Sequence, residues 1–318
     1  MSTHTGASTP DQAQVPNRGG SGKGMAGGLS PEAAGQIRRR QRYSAVWSGL
    51  LIGATAVALG LLAVLLYDII GDGWSWVDWN FITSLPSRRP ERAGLHPALM
   101  GSIWIMGLTA LITFPLGVGA AIYLEEFATK GRLSRIIELN IANLAGVPSI
   151  VYGLLGLAVF VDLLRLGPVV LAGALTLSLL VLPIVIISSR EAIRAVPDSL
   201  RQGALALGAT RLEAVRSHVL PGAMPGILTG TILALSRAIG ETAPLIVVGA
   251  VTYITFSPDG VDSRFTVLPL QIFDWASRPQ ADFRGLAAAG GIVLLVMLLT
   301  MNAIAITLRN RFSRNQNW

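Results

Sequence analysis

Long stretches without any charged side chain divide this sequence. Five stretches contain no Asp, Glu, Lys or Arg, and a sixth, residues 226–252, contains one charge of each sign. Each is longer than the roughly 18 apolar residues that mark a transmembrane helix. The pattern predicts an all-α membrane protein with six transmembrane helices. The charge-free stretches are residues 45–67, 99–124, 139–161, 168–188 and 285–308.

The composition agrees with a membrane protein and excludes several other classes. Hydrophobic residues make up 52% of the chain and charged residues 14%, whereas ordinary soluble proteins contain about 25% charged residues. Cysteine is absent, so the chain has no disulfide, no thiolate nucleophile and no cysteine-ligated metal. The three histidines, His4, His96 and His218, are too scattered for a metal site. We therefore expect no catalytic residue, no bound metal and no bound cofactor.

The net charge of +7 follows the predicted membrane topology. If the N-terminus is cytoplasmic, 17 of the 25 basic residues lie on its side of the membrane and seven lie on the other side. Such an excess is the positive-inside bias of membrane proteins. It predicts that both termini are cytoplasmic, and it identifies the lipid bilayer, not nucleic acid, as the reason for the basic composition.

The segments outside the predicted spans differ in character. Residues 1–43 are predicted to be a disordered basic cytoplasmic tail, because their first part is rich in Gly, Ser, Thr, Pro and Gln. Residues 44–311 form the six-helix membrane domain, and residues 312–318 form a short cytoplasmic tail. The external loops 68–98 and 253–284 carry many aromatic residues, which favours an interfacial aromatic belt over a docking surface for an external partner.

The cytoplasmic loop at residues 189–225 is predicted to contain two short helices. Ser199 with Gln202, and Thr210 with Glu213, each fit a capping box that begins a helix. Gly208 is predicted to end the first helix, because glycine adopts the left-handed conformation without steric cost. The spacing also predicts one apolar face, formed by Leu200, Ala204 and Leu207. A DNA-binding role is excluded because membrane spans hold both ends of the loop, which leaves a structural hairpin or a docking element.

The same loop resembles the EAA loop of ABC importer permeases. That motif runs Glu-Ala-Ala, three residues, Gly, nine residues, Ile, one residue, Leu-Pro, and this sequence carries Gln202, Gly203, Ala204, Gly208, His218, Leu220 and Pro221 at those positions. It departs from the motif at Gln202, Gly203 and His218. The resemblance implies that the first helix lies in a groove of an ATP-hydrolysing subunit and transmits its closure to the membrane helices. The residues implied in this coupling are Ser199, Gln202, Gly203, Ala204, Gly208, Leu220 and Pro221.

Span five is unusual because it contains Arg237 and Glu241 near its middle. Each charge at mid-bilayer costs about 2.5–3.5 kcal/mol. An ion pair that only links helices is one explanation, but Arg before Glu is the less favourable order on a helix, and buried pairs gain little over apolar packing. Arginine suits an oxyanion, because its planar fork donates paired hydrogen bonds and stays protonated. We expect Arg237 to meet an anionic substrate and Glu241 to hold Arg237 in position.

Other features of the spans predict close helix packing and a bend. Small residues recur every fourth position in span five, at Gly226, Gly230, Ala234 and Ala238. Pro244 follows Glu241 by about one turn and predicts a bend at a gate. Three polar residues in or near the spans either line a path or bond to neighbouring backbone, and these are Asn143, Ser149 and Thr242.

Three segments resemble the phosphate-importer permeases of the ABC family. Residues 236–244 read Ser-Arg-Ala-Ile-Gly-Glu-Thr-Ala-Pro, residues 119–126 read Gly-Ala-Ala-Ile-Tyr-Leu-Glu-Glu, and residues 145–153 read Ala-Gly-Val-Pro-Ser-Ile-Val-Tyr-Gly. The sequence Ile-Tyr-Leu-Glu-Glu at residues 122–126 is similar to that of PstA-type permeases. With the EAA-type loop, the resemblance covers about residues 99–309. It implies a type I ABC importer permease fold and import of inorganic phosphate by alternating access.

The resemblance also implies partners, which the sequence does not itself contain. They are a second, PstC-like permease, a PstB-like ATPase dimer that uses ATP and Mg, and a PstS-like external phosphate-binding protein. The location implied is the bacterial inner membrane. The alternatives left open are a permease for sulfate, molybdate or phosphonate, since one arginine does not distinguish tetrahedral anions, a gradient-driven secondary transporter, and a membrane sensor that transports nothing.

Overall fold

The computed structural model describes residues 31–129 and 131–313, in which helices are the regular structure and no strand occurs. The chain divides into two compact units between Leu62 and Ala63. The helices are α1 (Pro31–Gly73), α2 (Trp79–Thr83), α3 (His96–Ile122), α4 (Arg132–Ala145), α5 (Ser149–Gly156), α6 (Val170–Arg194), α7 (Asp198–Ala206), α8 (Arg211–Ala214), α9 (Leu220–Ala238), α10 (Ala243–Val248), α11 (Leu268–Ala276) and α12 (Ala281–Ser313).

Helix α1 begins at Pro31, inside the segment predicted as a disordered tail. The prediction of a tail over residues 1–43 is therefore wrong for residues 31–43. Proline at the first helical position is followed by Glu-Ala-Ala, which are strong helix formers. In the unit that ends at Leu62, the large apolar side chains of α1 from Val46 onward are exposed, as expected of a helix in lipid. Residues 1–30 of the predicted tail lie outside the described residues.

Five helical segments are long and apolar enough to cross a membrane, and they are Val46–Trp76, His96–Phe127, Val170–Arg194, Arg211–Ala238 and Ala281–Arg311. A sixth candidate is the pair α4 and α5 with the π-helical turn Leu157–Leu163, bent by 102°. The predicted all-α membrane fold is confirmed, but the third span is not one straight helix. Pro148 has extended backbone angles, φ −56° and ψ 137°, and cannot donate to the helical ladder. At its far end α12 continues through residues 312 and 313 of the predicted C-terminal tail.

Helix α6 is the most buried of the spans, and it packs against α3 and α9. The small residues of α9 allow this packing. A Cβ atom on Gly226 would lie 2.7 Å from the Cβ of Ala192 in α6. Ala234 and Ala238 are buried as well. The close approach predicted from the four-residue spacing is confirmed.

At the opposite end from α7, the loops form their own aromatic core. Four aromatic side chains of this end are buried, and these are Phe81, Phe265, Trp275 and Phe283. The rings of Phe81 and Trp275 are 5.8 Å apart. The amide of Gln271, oriented to suit its neighbours, donates to the Thr252 carbonyl (3.2 Å) and accepts from Trp275 Nε1 (3.1 Å). The expectation of an aromatic belt is wrong for these four residues, because Phe81, Trp275 and Phe283 are buried in one apolar cluster and Phe265 is buried in another with Ile105 and Val170.

Hydrogen bonds tie the segment between α10 and α11 to the starts of two spans. The backbone N–H of Val170 donates to Ser263 O (3.0 Å), and His96 Nδ1 lies 2.6 Å from Ser257 Oγ. The Ser263 hydroxyl donates to Asp259 Oδ1 (2.7 Å), and this bond lowers the pKa of Asp259 below its usual value. The segment is therefore an ordered part of the molecule between α3 and α6.

Candidate functional site

The predicted fifth span is interrupted near its charged pair. Helix α9 ends at Ala238, residues 239–242 form a turn, and α10 begins at Ala243. The break lies directly before Pro244, where the sequence predicted a bend. The cause is Pro244, which lacks the N–H that would bond to residue 240 and whose ring clashes with that carbonyl. Proline is accepted in the first turn of a helix, so the chain restarts as α10.

Arg237 and Glu241 lie at this interruption and not in the middle of a helix, which corrects the prediction. Arg237 is in the last turn of α9, where unpaired carbonyls favour a cation. Its Nε lies 3.5 Å from Glu241 Oε1, so the two form an ion pair across the end of the helix. The Arg237 side chain is 60% exposed and the Glu241 side chain 19% exposed. Among the described residues, the guanidinium donates no hydrogen bond, so its paired donors face open space.

The interruption of span five lies beside the bend of span three. Helix α5 packs against α10, and Gly153 of α5 faces Pro244 and Val247 of α10. A Cβ atom on Gly153 would lie 2.8 Å from the Cα of Pro244. A hydrogen bond also crosses the bend, because the hydroxyl of Tyr152 in α5 donates to the carbonyl of Leu144 in α4 (2.8 Å). The bend of span three and the interruption of span five therefore lie close together, because Val147 and Tyr152 share an apolar cluster with Ala238 and Ile239, the neighbours of Arg237.

The other polar residues predicted to line a path occupy different places. Ser149 is the first residue of α5, and Thr242 directly precedes α10, the helix that packs against α5. The Thr242 hydroxyl donates to Gly240 O (3.4 Å). Asn143 is in the last turn of α4 and is exposed. No hydrogen bond joins Asn143, Ser149 or Thr242 to Arg237 in the described ranges, so their contact with a substrate stays a prediction.

The predicted stop and restart in the cytoplasmic loop are present. Gly208 has φ +89°, the left-handed conformation predicted for the end of the first helix. Thr210 begins α8 with the predicted capping box. Its hydroxyl accepts from Glu213 N (3.3 Å), and Glu213 Oε2 accepts from Thr210 N (2.7 Å). These bonds satisfy donors that the helix itself leaves unpaired.

The first helix of the loop begins differently from the prediction. Pro197 is the N-cap residue of α7, it has extended backbone angles, and no side chain caps the helix. Ser199 is already inside the helix, so the Ser199 to Gln202 capping box is wrong. Ala204 is buried and Leu200 is half-buried, as predicted. Leu207 is 91% exposed, so it does not share the predicted apolar face; it is the C-cap residue of α7.

The loop is also shorter than predicted. Helix α6 extends to Arg194, and α8 continues through the π-helical turn Val215–Val219 directly into α9. Leu220 and Pro221 are therefore the first residues of α9 and do not lie in a loop. Gln202 and Gly203 are exposed on α7, and a Cβ atom at Gly203 would meet nothing within 4 Å. This open face is the surface that the EAA resemblance assigns to an ATPase.

Charged residues near α7 form clusters that no sequence pattern predicted. Glu125 pairs with Arg194 and lies 3.6 Å from Arg190 Nη2, which in turn is 2.9 Å from Glu138 Oε1 of α4. We call these four residues the Glu125 cluster. The neighbouring Glu126 pairs with Arg201 of α7. One sequence feature could have pointed to these clusters. Two adjacent carboxylates, Glu125 and Glu126, directly follow the charge-free stretch 99–124.

Comparison with protein families gives one match that covers most of the chain. Residues 113–315 match the family described as binding-protein-dependent transport system inner membrane component. This range includes α4 to α12 and therefore the interruption at Arg237, the loop that holds α7, and the Glu125 cluster.

Individual relatives and solved structures agree. The chain is 34% identical over 278 residues to a phosphate transport system permease protein PstA 1 of Mycobacterium tuberculosis, covering 86% of this chain and 90% of that protein. It is 31% identical over 263 residues to PstA of Haemophilus influenzae, with coverage of 83% and 92%. A bacterial alginate ABC transporter chain has the same fold, with a TM-score of 0.60, 17% identity and coverage of 87% and 96%. The resemblance to PstA-type permeases and the type I importer fold are confirmed.

Proposed function

Because the chain belongs to the family of binding-protein-dependent transport system inner membrane components, we propose that it is the membrane subunit of an ATP-driven importer of inorganic phosphate. The family is a multi-pass inner membrane permease family, and its members are transport components and not enzymes. Which anion this chain carries and how its transport is powered are the parts that we propose.

The exposed guanidinium of Arg237 at the α9–α10 interruption is the observation that supports an anionic substrate. A guanidinium donates paired hydrogen bonds to tetrahedral oxyanions, and it stays protonated at any physiological pH. Glu241 balances its charge when no anion is bound. Relatives named as phosphate permeases, which align with most of this chain, support phosphate as the tetrahedral anion.

The geometry supports a route by which movement of the ATPase reaches the membrane helices. Helix α7 projects from the bundle and presents Gln202 and Gly203 on an open face. When a PstB-like ATPase dimer binds ATP and closes, α7 moves with it, and the spans reorient so that Arg237 becomes accessible from outside. ATP hydrolysis reverses the movement and releases phosphate to the cytoplasm. The ATP and Mg belong to the partner ATPase, and this chain binds neither.

Two further partners complete the proposed assembly. A second, PstC-like permease covers the exposed apolar faces of the spans, and a PstS-like binding protein delivers phosphate to the loops around α11. This arrangement places both termini of the chain in the cytoplasm, together with α7. It also assigns the loop core around Trp275 to the external side of the membrane.

The test is phosphate uptake by the reconstituted assembly. The chain is co-expressed with the second permease and the ATPase, inserted into liposomes without ion gradients, and supplied with the binding protein and radioactive phosphate. ATP should drive phosphate accumulation, and omission of either ATP or the binding protein should abolish it. Uptake that requires a sodium or proton gradient instead would identify a secondary transporter.

Competition in the same liposomes separates the remaining alternatives. A tenfold excess of sulfate, molybdate or phosphonate should leave phosphate uptake unchanged, whereas strong inhibition by one of them would identify that anion as the substrate. A complete assembly that hydrolyses ATP but accumulates none of the four anions would support the sensor.

A further inference from the structure

Two adjacent glutamates at the end of α3 reach different parts of the molecule. They lie in the π-helical turn Tyr123–Phe127, which continues α3. Glu125 pairs with Arg194 at the end of α6. Glu126 pairs instead with Arg201 in α7. A single turn of chain therefore contacts both the helix bundle and the helix that projects from it.

Arg201 uses its whole guanidinium in this contact. Its Nε donates to Glu126 Oε1 (2.9 Å) and its Nη1 to Asp198 Oδ1 (2.9 Å). The same group also donates to two backbone carbonyls at the end of α6, from Nη2 to Ile193 O (2.8 Å) and from Nη1 to Val196 O (2.7 Å). The last carbonyls of a helix have no partner within the helix and attract a cation. Arg201 thus joins α7 to the ends of both α3 and α6.

The Glu126 to Arg201 pair is shielded from solvent. Glu126 is 5% exposed, and the turn that carries it neighbours the apolar cluster formed by Val118, Ile193, Val196 and Val219. A buried carboxylate that loses its cation remains as an uncompensated charge, which makes such a pair sensitive to any change in either partner. Asp198, which contacts the same guanidinium, has an 83% exposed side chain and so provides a matched comparison.

Apolar and polar contacts together attach α7 to the bundle. Ala204 is buried, and Leu200 is half-buried and packs against the apolar cluster that includes Ile193 and Val219. Leu205 of α7 and the C-cap residue Leu207 are exposed. The hydrogen bonds of Arg201 supply the polar part of the attachment, to the ends of α3 and α6.

We propose that Glu126 and Arg201 are positioning residues that make α7 move together with α3 and α6 as one body. The inference rests on the proposed function, in which an ATPase displaces α7. From Glu126 the contacts continue through the Glu125 cluster to α4, and then through the bend and the Gly153 contact to α10, beside Arg237. These contacts are spatially continuous, and measured coupling is what decides whether they transmit movement.

The first experiment measures how well ATP hydrolysis is coupled to transport. Glu126→Gln and Arg201→Lys are reconstituted with the partner subunits, and the phosphate imported per ATP hydrolysed is compared with the unsubstituted assembly. We expect this ratio to fall about fivefold or more in both variants, while the ATPase still binds and hydrolyses ATP. Asp198→Asn should leave the ratio unchanged. An unchanged ratio in Glu126→Gln would overturn the proposal.

A second experiment does not depend on the substrate. The chain has no cysteine, so spin labels can be placed at two introduced cysteines alone, Leu205→Cys on α7 and Leu116→Cys on α3. Pulsed electron paramagnetic resonance then gives the distribution of distances between the labels in the full chain. Glu126→Gln should broaden this distribution and Asp198→Asn should not. An equally narrow distribution in Glu126→Gln would overturn the proposal.

The two experiments separate failure of this inference from failure of the proposed function. If the unsubstituted assembly imports no phosphate, the proposed function is wrong, and the spin-label distances still decide whether the pair holds α7. If Glu126→Gln does not fold, both measurements are made on Arg201→Lys. That variant keeps the positive charge and removes only the planar guanidinium with its paired donors.

Discussion

Gly153 of α5 lies directly against Pro244 of α10, so close that a Cβ atom at position 153 would be 2.8 Å from the proline Cα. The atom that it would meet belongs to the backbone, so the contact cannot be relieved by rotation of a side chain. The contact therefore holds α10, which follows the interruption at Arg237, against α5, which follows the bend of span three.

We predict that Gly153→Ala separates these two helices. Overpacking of a tight contact costs about 1–3 kcal/mol, so the melting temperature of the purified chain should fall and phosphate uptake should decrease. Gly119→Ala is the control, because a Cβ there meets nothing within 4 Å. That variant should melt no lower than the original chain. Equal melting temperatures for the two variants would show that the α5–α10 contact has room to adjust.

Gly208 provides a test of the turn after α7. Its φ of +89° is unfavourable for other residues, although the space around it is open. Gly208→Val should therefore cost about 1–2 kcal/mol through backbone strain alone and weaken binding of the ATPase in a pull-down. Gly208→Asn should retain most of the binding, because asparagine tolerates the left-handed conformation. Equal retention by valine would contradict the role of backbone conformation.

The aromatic core of the loops can be tested with two residues of α11. Trp275 is buried against Phe81, and Phe273, two positions earlier, is 62% exposed. Trp275→Ala should destabilise the chain by about 3–5 kcal/mol, whereas Phe273→Ala should change its stability by about 0.5 kcal/mol or less. Thermal unfolding of both variants checks this difference. Similar losses would indicate that the loops are not packed as described.

The charge-free stretches predicted the spans, and local backbone rules predicted Gly208 and the Thr210 capping box, because both depend on a few neighbouring residues. Pro244 predicted the break in span five, whereas the bend at Pro148 was not predicted, since hydropathy measures apolar length and does not detect where a helix ends. The buried state of Trp275 depends on contacts between distant segments, which no local pattern reports.

In the candidate site, too, local sequence features were predicted and contacts between distant residues were not. The sequence identified Arg237 and Glu241 because charges stand out in an apolar stretch. It did not identify Arg201 as a partner of Glu126, since the two residues are far apart in the chain and arginines are common in cytoplasmic loops. Ser199 was assigned to a helix cap by its spacing from Gln202, but Pro197 starts α7 earlier and removes that role.

The predicted topology is open to chemical labelling, because the chain has no cysteine of its own. Single cysteines are introduced at two exposed positions, Asp262→Cys between α10 and α11 and Arg311→Cys near the end of α12. A membrane-impermeant maleimide should label position 262 in intact cells and position 311 only after the membrane is permeabilised. Labelling of position 311 from outside would invert the orientation and remove α7 from the cytoplasm.

Arg237 is the residue on which the assignment of an anionic substrate depends. Loss of a charged hydrogen bond costs about 1.5–3 kcal/mol, so Arg237→Ala should reduce phosphate uptake by about 10- to 100-fold or more. Arg237→Lys keeps the charge but loses the paired donors of the fork, so its uptake should lie between those of Arg237→Ala and the original chain. Uptake is measured in the reconstituted assembly at matched membrane levels. Arg311→Ala is the control, because that arginine is also exposed but lies near the end of α12, and it should leave uptake unchanged.

The partner subunits provide the second half of this test. Arg237 lies outside α7, so Arg237→Ala should still bind the ATPase and hydrolyse ATP when the binding protein is present. Loss of uptake with retained hydrolysis therefore places the defect in the passage of the anion. Normal uptake by Arg237→Ala would show that the exposed guanidinium at the α9–α10 interruption does not meet the substrate, and the anion would have to be recognised by the second permease alone.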